Sequence, residues 1–146
     1  MYLTSPAFSH GSDIPSQYTC DGADAIPPLS ISSPPKDTAC FVLIMDDPDS
    51  PSGTWDHWIA YDIPADTRRI DGKAPGLQGM NSWSRPGYGG PCPGKGEHRY
   101  FFRLYAVSRL LGLRSNAHRA EVEHAMRGHV IAEARLMGRY IKKENR

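Results

Sequence analysis

The stretch Asp46–Trp58, DDPDSPSGTWDHW, decides how this chain is read. An apolar run, Ala39–Met45, stops where it begins, and a second, Trp58–Ile63, starts where it ends. Carboxylates, two prolines, Gly53 and His57 fill the space between. A loop joining two strands needs a turn, not this density of ionisable groups. Pro48 and Pro51 fix φ and push the residues before them, Asp47 and Ser50, toward extended geometry. The connection is therefore stiff. Rigid loops that hold polar groups at the end of a sheet are common places for binding sites.

Outward from this loop, Ala39–Met45 is apolar throughout and too short for a typical helix, which predicts a buried strand. His57–Ile63 alternates, with His57, Ile59, Tyr61 and Ile63 on one face and Trp58, Ala60 and Asp62 on the other. His98–Val107 alternates too, with Tyr100, Phe102, Leu104 and Ala106 opposite Phe101, Arg103, Tyr105 and Val107. Met1–Phe8 and Leu29–Ser32 are candidate short strands. The segment Gly72–Gly96 holds eight glycines and four prolines, a long irregular stretch of the kind that is usually functional or disordered. Trp83 and Tyr88 within it point to packing. Near the C-terminus, Val122, Ala125, Met126, His129 and Val130 follow a helical stripe. Ser115 or Asn116 is the expected N-cap, Gly128 and Gly138 are interruptions, and Arg139–Lys142 is a short returning strand.

At 146 residues the chain is expected to form a single domain, 1–146, of mainly β (α+β) class. Fourteen glycines and thirteen prolines punctuate it finely, as in a turn-rich β protein. A net charge of +1 supplies no field toward nucleic acid or an anionic membrane. No run approaches the length of a membrane span, and Met1–Ser9 lacks a leader's basic start and apolar core. A cytoplasmic address is expected. Cys20, Cys40 and Cys92 form no metal-binding knuckle. Cys40 belongs to the core. A Cys20–Cys92 disulfide is open on the residues alone, and a cytoplasmic address argues against it.

Chemistry gathers at strand ends. Asp46 and Asp47 leave the first strong strand, His57 enters the second, and His98 enters the third behind Pro93, Gly94 and Gly96. With the first two strands antiparallel neighbours and the third beside the second, Asp47, His57 and His98 meet at one sheet edge, with the Gly-rich loop Tyr88–Gly96 as a rim. Such a group could hold an oxyanion through imidazole and glycine N–H donors. It could also be a 2-His-1-carboxylate metal site, which no HxH or HxxxH spacing supports, or an acid–base pair acting on a metabolite. No GxSxG motif supports a serine hydrolase. His10, His118, His124 and His129 are read as structural.

DDPDSP, WDHW and GYGGPCPGKGEHRYFF, with LTSPAF, YTCDG, GMN and GHVIAEARLMGRY, resemble the phosphatidylethanolamine-binding proteins (the Raf kinase inhibitor protein family), in their bacterial and archaeal branch. The resemblance implies a large central antiparallel sheet, a smaller flanking sheet and C-terminal helices. It implies a small cavity for phosphate or a phosphorylated head group. Asp47, His57 and His98 match its polar core, and Ser50, Pro51, Trp55, Gly90, Pro91 and Tyr100 match positions lining it. A binding protein of this kind needs no metal and no cofactor. The resemblance suggests a kinase or protease as protein partner and a homodimer, and the aromatics of Ser82–Tyr88 are candidates for its interface or for the pocket. If the protein were an enzyme, Asp47, His57 and His98 would be its catalytic groups. Ser50 stands where many members have alanine, and Pro93-Gly94 where many prokaryotic members have two prolines. The helical C-terminal extension of eukaryotic members has no clear counterpart.

Overall fold

Eight strands and one α-helix emerge in the computed structural model, which describes residues 1–146. In chain order they are β1 (Tyr2–Thr4), β2 (Leu29–Ser32), β3 (Cys40–Asp47), β4 (Trp55–Pro64), β5 (Arg69–Ile70), β6 (Leu77–Gln78), β7 (His98–Val107), α1 (Arg119–Met126) and β8 (Val130–Tyr140). Two antiparallel sheets result, one ordered β6-β4-β3-β7-β8 and a smaller one ordered β1-β2-β5.

All eight residues of β3 are buried, because both faces of the large sheet are covered. Phe41, Leu43 and Met45 pack under the small sheet with Leu3, Leu29, Ile31 and Ile70. Val42 and Ile44 face the other way, onto Val122 and Met126 of α1. A strand buried on both sides reads as an unbroken apolar run instead of an alternation, which is the pattern of Ala39–Met45. Each such side chain, fully withdrawn from water, contributes about 1.5–3 kcal/mol. β3 also lies between β4 and β7, so the His98 strand runs beside the first strong strand and not beside the second as expected.

Asp46, next to Asp47, points to the helix side. Its carboxylate accepts from Arg103 Nε at 3.0 Å and Arg119 Nη1 at 2.8 Å, and Arg119 also reaches Asp56 at 2.8 Å. This network pins α1 to the strands at the edge where the chemistry lies.

The helix is shorter than the stripe suggested. It starts after His118, not at Ser115 or Asn116, with the Glu121 carboxylate accepting the His118 N–H at 3.1 Å. It ends at Met126, and Gly128, at φ +83°, turns the chain in a conformation that a side chain resists. Val130 is therefore not on a helix, and His129 lies in the turn. Val130–Tyr140 is a strand paired along β7, so the expected short strand at Arg139–Lys142 is the end of a long one, and the C-terminal region holds a single α-helix. Pairing with β7 outweighed local propensity here. The period-two series Ala132, Ala134, Leu136, Gly138 and Tyr140 carried the signal.

Cys40 is fully buried, and burial pushes its thiol up to about 12. Cys20 and Cys92 are joined in a disulfide, Cα to Cα 5.4 Å, against the expectation drawn from a cytoplasmic address. Compartment argues about redox potential, and two residues far apart in sequence gave no measure of their distance. No helix is long and apolar enough to cross a membrane.

Candidate functional site

The alternation read along His57–Ile63 fails at both ends, and the failure builds the site. β4 pairs Trp58 with Met45 but Asp56 with Asp46, leaving His57 as an extra residue, a β-bulge. The bulge sends His57 to the same face as Trp58, toward Tyr100 and the small-sheet side, while Asp56 turns to Arg119. A second irregularity lies near Asp62, which has φ +49°, and it carries Ile63 to that face as well. Ile59 and Tyr61 stay on the helix side.

At this edge a cavity of about 230 Å³ opens, lined by Asp47, Ser50, Pro51, Trp55, His57, Trp83, Cys92, Pro93, Gly94, His98 and Tyr100. Seven of the nine residues anticipated as ligand contacts line it. Gly90 and Pro91 stand behind the wall: the Gly90 N–H donates to Asp24 Oδ1 at 2.9 Å, and the Pro91 carbonyl accepts the Cys20 N–H at 3.1 Å. Cys92, Pro93 and Gly94 of the lining belong to the Tyr88–Gly96 loop expected as a rim, and Trp83 to the Ser82–Tyr88 aromatics expected at an interface or the pocket. The structure puts Trp83 in the cavity wall.

The polar groups are held from behind. His98 Nδ1–H donates to Asp47 Oδ2 at 2.7 Å, and Asp47 Oδ1 accepts the Asp49 N–H at 2.8 Å. Asp49 clamps Arg99 through Nε at 2.9 Å and Nη2 at 2.8 Å, and the guanidinium holds its carboxyl at about 2, well below the usual carboxylate range. DPDSP is thereby fastened to the start of β7. His57 Nδ1–H donates to the Gly89 carbonyl at 2.7 Å. A carbonyl only accepts, so the ring proton sits on Nδ1, and Nε2 makes no bond within the chain. Burial, at 3% exposure, is the main cause lowering the His57 pKa below its ordinary value, so the ring is neutral at pH 7.

Trp83 packs edge-on against His57, ring centroids 4.9 Å apart, and against Trp55 at 5.6 Å. It lies on Gly89, where a Cβ would come 2.3 Å from its Cζ3, so only glycine admits the indole there. Asn81, itself buried, fixes that turn by accepting the Trp83 N–H at 2.9 Å and donating to the Gly87 carbonyl at 3.0 Å. Tyr88 goes to the core instead, its hydroxyl donating to the Tyr18 carbonyl at 2.7 Å.

Two lining residues carry buried polar atoms without a partner: Trp55 Nε1 and the Tyr100 hydroxyl. Burial and the Asp47 charge both push the Tyr100 pKa up, so its proton stays on. No lysine or arginine lines the cavity. No group of three or more His, Cys, Asp or Glu side chains is placed to hold a metal ion. The arrangement can therefore donate hydrogen bonds to an oxygen-rich group and take a proton on imidazole.

Residues 4–141 match the family model described as phosphatidylethanolamine-binding protein. A UPF0098 protein of Aquifex aeolicus is 46% identical over 150 residues, covering 96% of this chain and 88% of that one. A UPF0098 protein of Methanothermobacter thermautotrophicus is 44% identical, covering 96% and 98%. Among solved structures, CT736 of Chlamydia trachomatis, a homologue of the phosphatidylethanolamine-binding proteins, superposes with a TM-score of 0.95 at 40% identity, covering 97% of each chain. YbcL of E. coli superposes with a TM-score of 0.87 at 28% identity, covering 97% of this chain and 98% of that one.

Proposed function

We infer that this chain, which belongs to the phosphatidylethanolamine-binding protein family, uses the cavity at Asp47, His57 and His98 to bind an anionic or phosphorylated small group. The observation that carries this reading is the convergence of Asp47, His57, His98, Tyr100 and Trp55 on one cavity, with Trp55 Nε1 and the Tyr100 hydroxyl buried beside it. A buried polar group left without a partner costs about 1–3 kcal/mol, and an indole N–H can only donate. An occupant whose acceptor oxygens draw these two side chains to the cavity surface removes that cost. The positive charge to match an anion comes from imidazole, since the lining has no fixed cation. Ser50, Pro51 and Trp83 bound the remainder. The same reading takes the occupied cavity to act on a kinase or protease partner, in the cytoplasm and as a homodimer, with no cofactor.

The test is a titration with inorganic phosphate and with phosphoethanolamine at pH about 6, following the His57 and His98 ring signals by NMR. Saturable shifts in both rings, lost in Asp47→Ala, are expected. No shift in either ring would overturn the reading.

The His98–Asp47 pair at 2.7 Å also has the geometry of a general base and its orienting carboxylate. An enzyme built on it would lose about two to four orders of magnitude in rate in His98→Gln, whereas a binder keeps most of its affinity. A protease inhibitor working through exposed loops would survive His57→Ala.

A further inference from the structure

We propose that the Cys20–Cys92 disulfide is a redox control on this cavity, the oxidised form holding the wall in its binding position and reduction releasing it. The proposal rests on the anion-binding reading above. Cys92 lines the cavity together with Pro93 and Gly94. The stretch before it is anchored without the disulfide: Tyr88 to the Tyr18 carbonyl at 2.7 Å, Gly90 to Asp24 at 2.9 Å, Cys20 N–H to the Pro91 carbonyl at 3.1 Å. Those bonds stop at Pro91. Between Cys92 and the start of β7 at His98, Pro93 is held by burial, and the remaining polar ties are weak and exposed. They are Asn145 Nδ2 to the Gly94 carbonyl at 3.4 Å and Arg139 to Glu97 at 3.9 Å. Gly94 and Gly96 have open space where a side chain would be. The disulfide is thus the covalent tether on this wall, beside the burial of Pro93.

Both cysteines are exposed, so a dithiol can reach the bond. Exposed disulfides are the more easily reduced ones, and in a cytoplasmic chain a disulfide is more often a switch than a staple. The chemistry is thiol–disulfide exchange. A thiolate of the dithiol attacks one sulfur, the other leaves as a thiolate and takes up a proton, and the second thiol resolves the mixed disulfide. Two cysteine thiols and one oxidised dithiol result. A wall that must be ordered by the ligand binds more weakly than one held in place beforehand.

The experiment measures the Kd for inorganic phosphate at pH about 6 in three samples. These are the oxidised protein, the protein reduced with dithiothreitol and exchanged into degassed buffer, and the Cys20→Ser/Cys92→Ser variant. Circular dichroism and the amide spectrum are recorded on each. Binding about tenfold weaker in the reduced protein and in the variant is expected, with new mobility confined to residues 92–96 and full recovery on reoxidation. Equal affinity in the oxidised and reduced forms overturns the proposal and leaves the anion-binding reading intact. A reduced protein that loses its folded spectrum also overturns it, since the bond is then structural. Absence of phosphate binding in every form overturns both.

Discussion

Acidity should act on this protein in two opposite directions through one ring, His57. Its Nδ1 proton is committed to the Gly89 carbonyl at 2.7 Å, so any further proton goes to Nε2. Burial disfavours that second proton in the free protein and lowers the pKa. An anion in the cavity reverses the balance, because a charge beside imidazole favours the imidazolium. Binding is then coupled to uptake of about one proton. Affinity should be highest below the lowered pKa of the free protein and fall about tenfold per pH unit until the raised pKa of the complex is passed. Stability of the empty protein runs the other way. The folded pKa lies below the unfolded one, near ~6.5, so the unfolded chain holds more protons between them. The His57 contribution is fully present above about 6.5 and is lost as pH falls through the lowered pKa, at up to about 1.4 kcal/mol per pH unit. The assay is calorimetric titration with sulfate, whose charge is constant over this range, in two buffers of different ionisation enthalpy, paired with urea unfolding across the same pH values. Proton uptake near one should vanish in His57→Gln, together with the His57 share of the stability slope. Binding that takes up no proton in the wild type would refute the reasoning.

Tyr100→Phe separates binding from folding: without its unpaired hydroxyl the empty protein should be as stable or about 1 kcal/mol more so, while phosphate affinity falls, read by urea unfolding and by titration. Asp46→Ala should destabilise by about 3 kcal/mol, toward the low end for a broken buried pair because Arg103 and Arg119 keep 26% and 23% of their side-chain exposure. In urea this should appear as a lower midpoint at unchanged slope.

Much of the fold could be read in advance because β3 and β7 state their environment in their residues. An unbroken apolar run has one reading when it is short and bounded by turns, and Tyr100, Phe102, Leu104 and Ala106 hold a strict period of two. β8 was harder: its first residues continue a helical stripe, and only pairing with β7 makes them a strand. The convergence of Asp47, His57 and His98 followed from strand ends, although β3, not β4, proved to be the neighbour of β7. Two features lay outside any single-strand pattern. The bulge at His57 depends on how β4 aligns with β3, and the Cys20–Cys92 bond depends on how two loops meet. Each is a relation between distant segments, which periodicity along one segment does not encode.

The extra residue in β4 sets the terms on which this cavity can be transplanted. Grafting Asp47, His57, His98 and Tyr100 onto the edge of another antiparallel sheet would fail if only the side chains were copied. On a regular ladder, His57 and Trp58 point to opposite sides, and the imidazole would arrive behind the sheet. A designer must carry the backbone insertion with them, together with a carbonyl placed as Gly89 places its own. What looks like a four-residue motif is, as a unit of inheritance or engineering, a motif plus one misfit in the register.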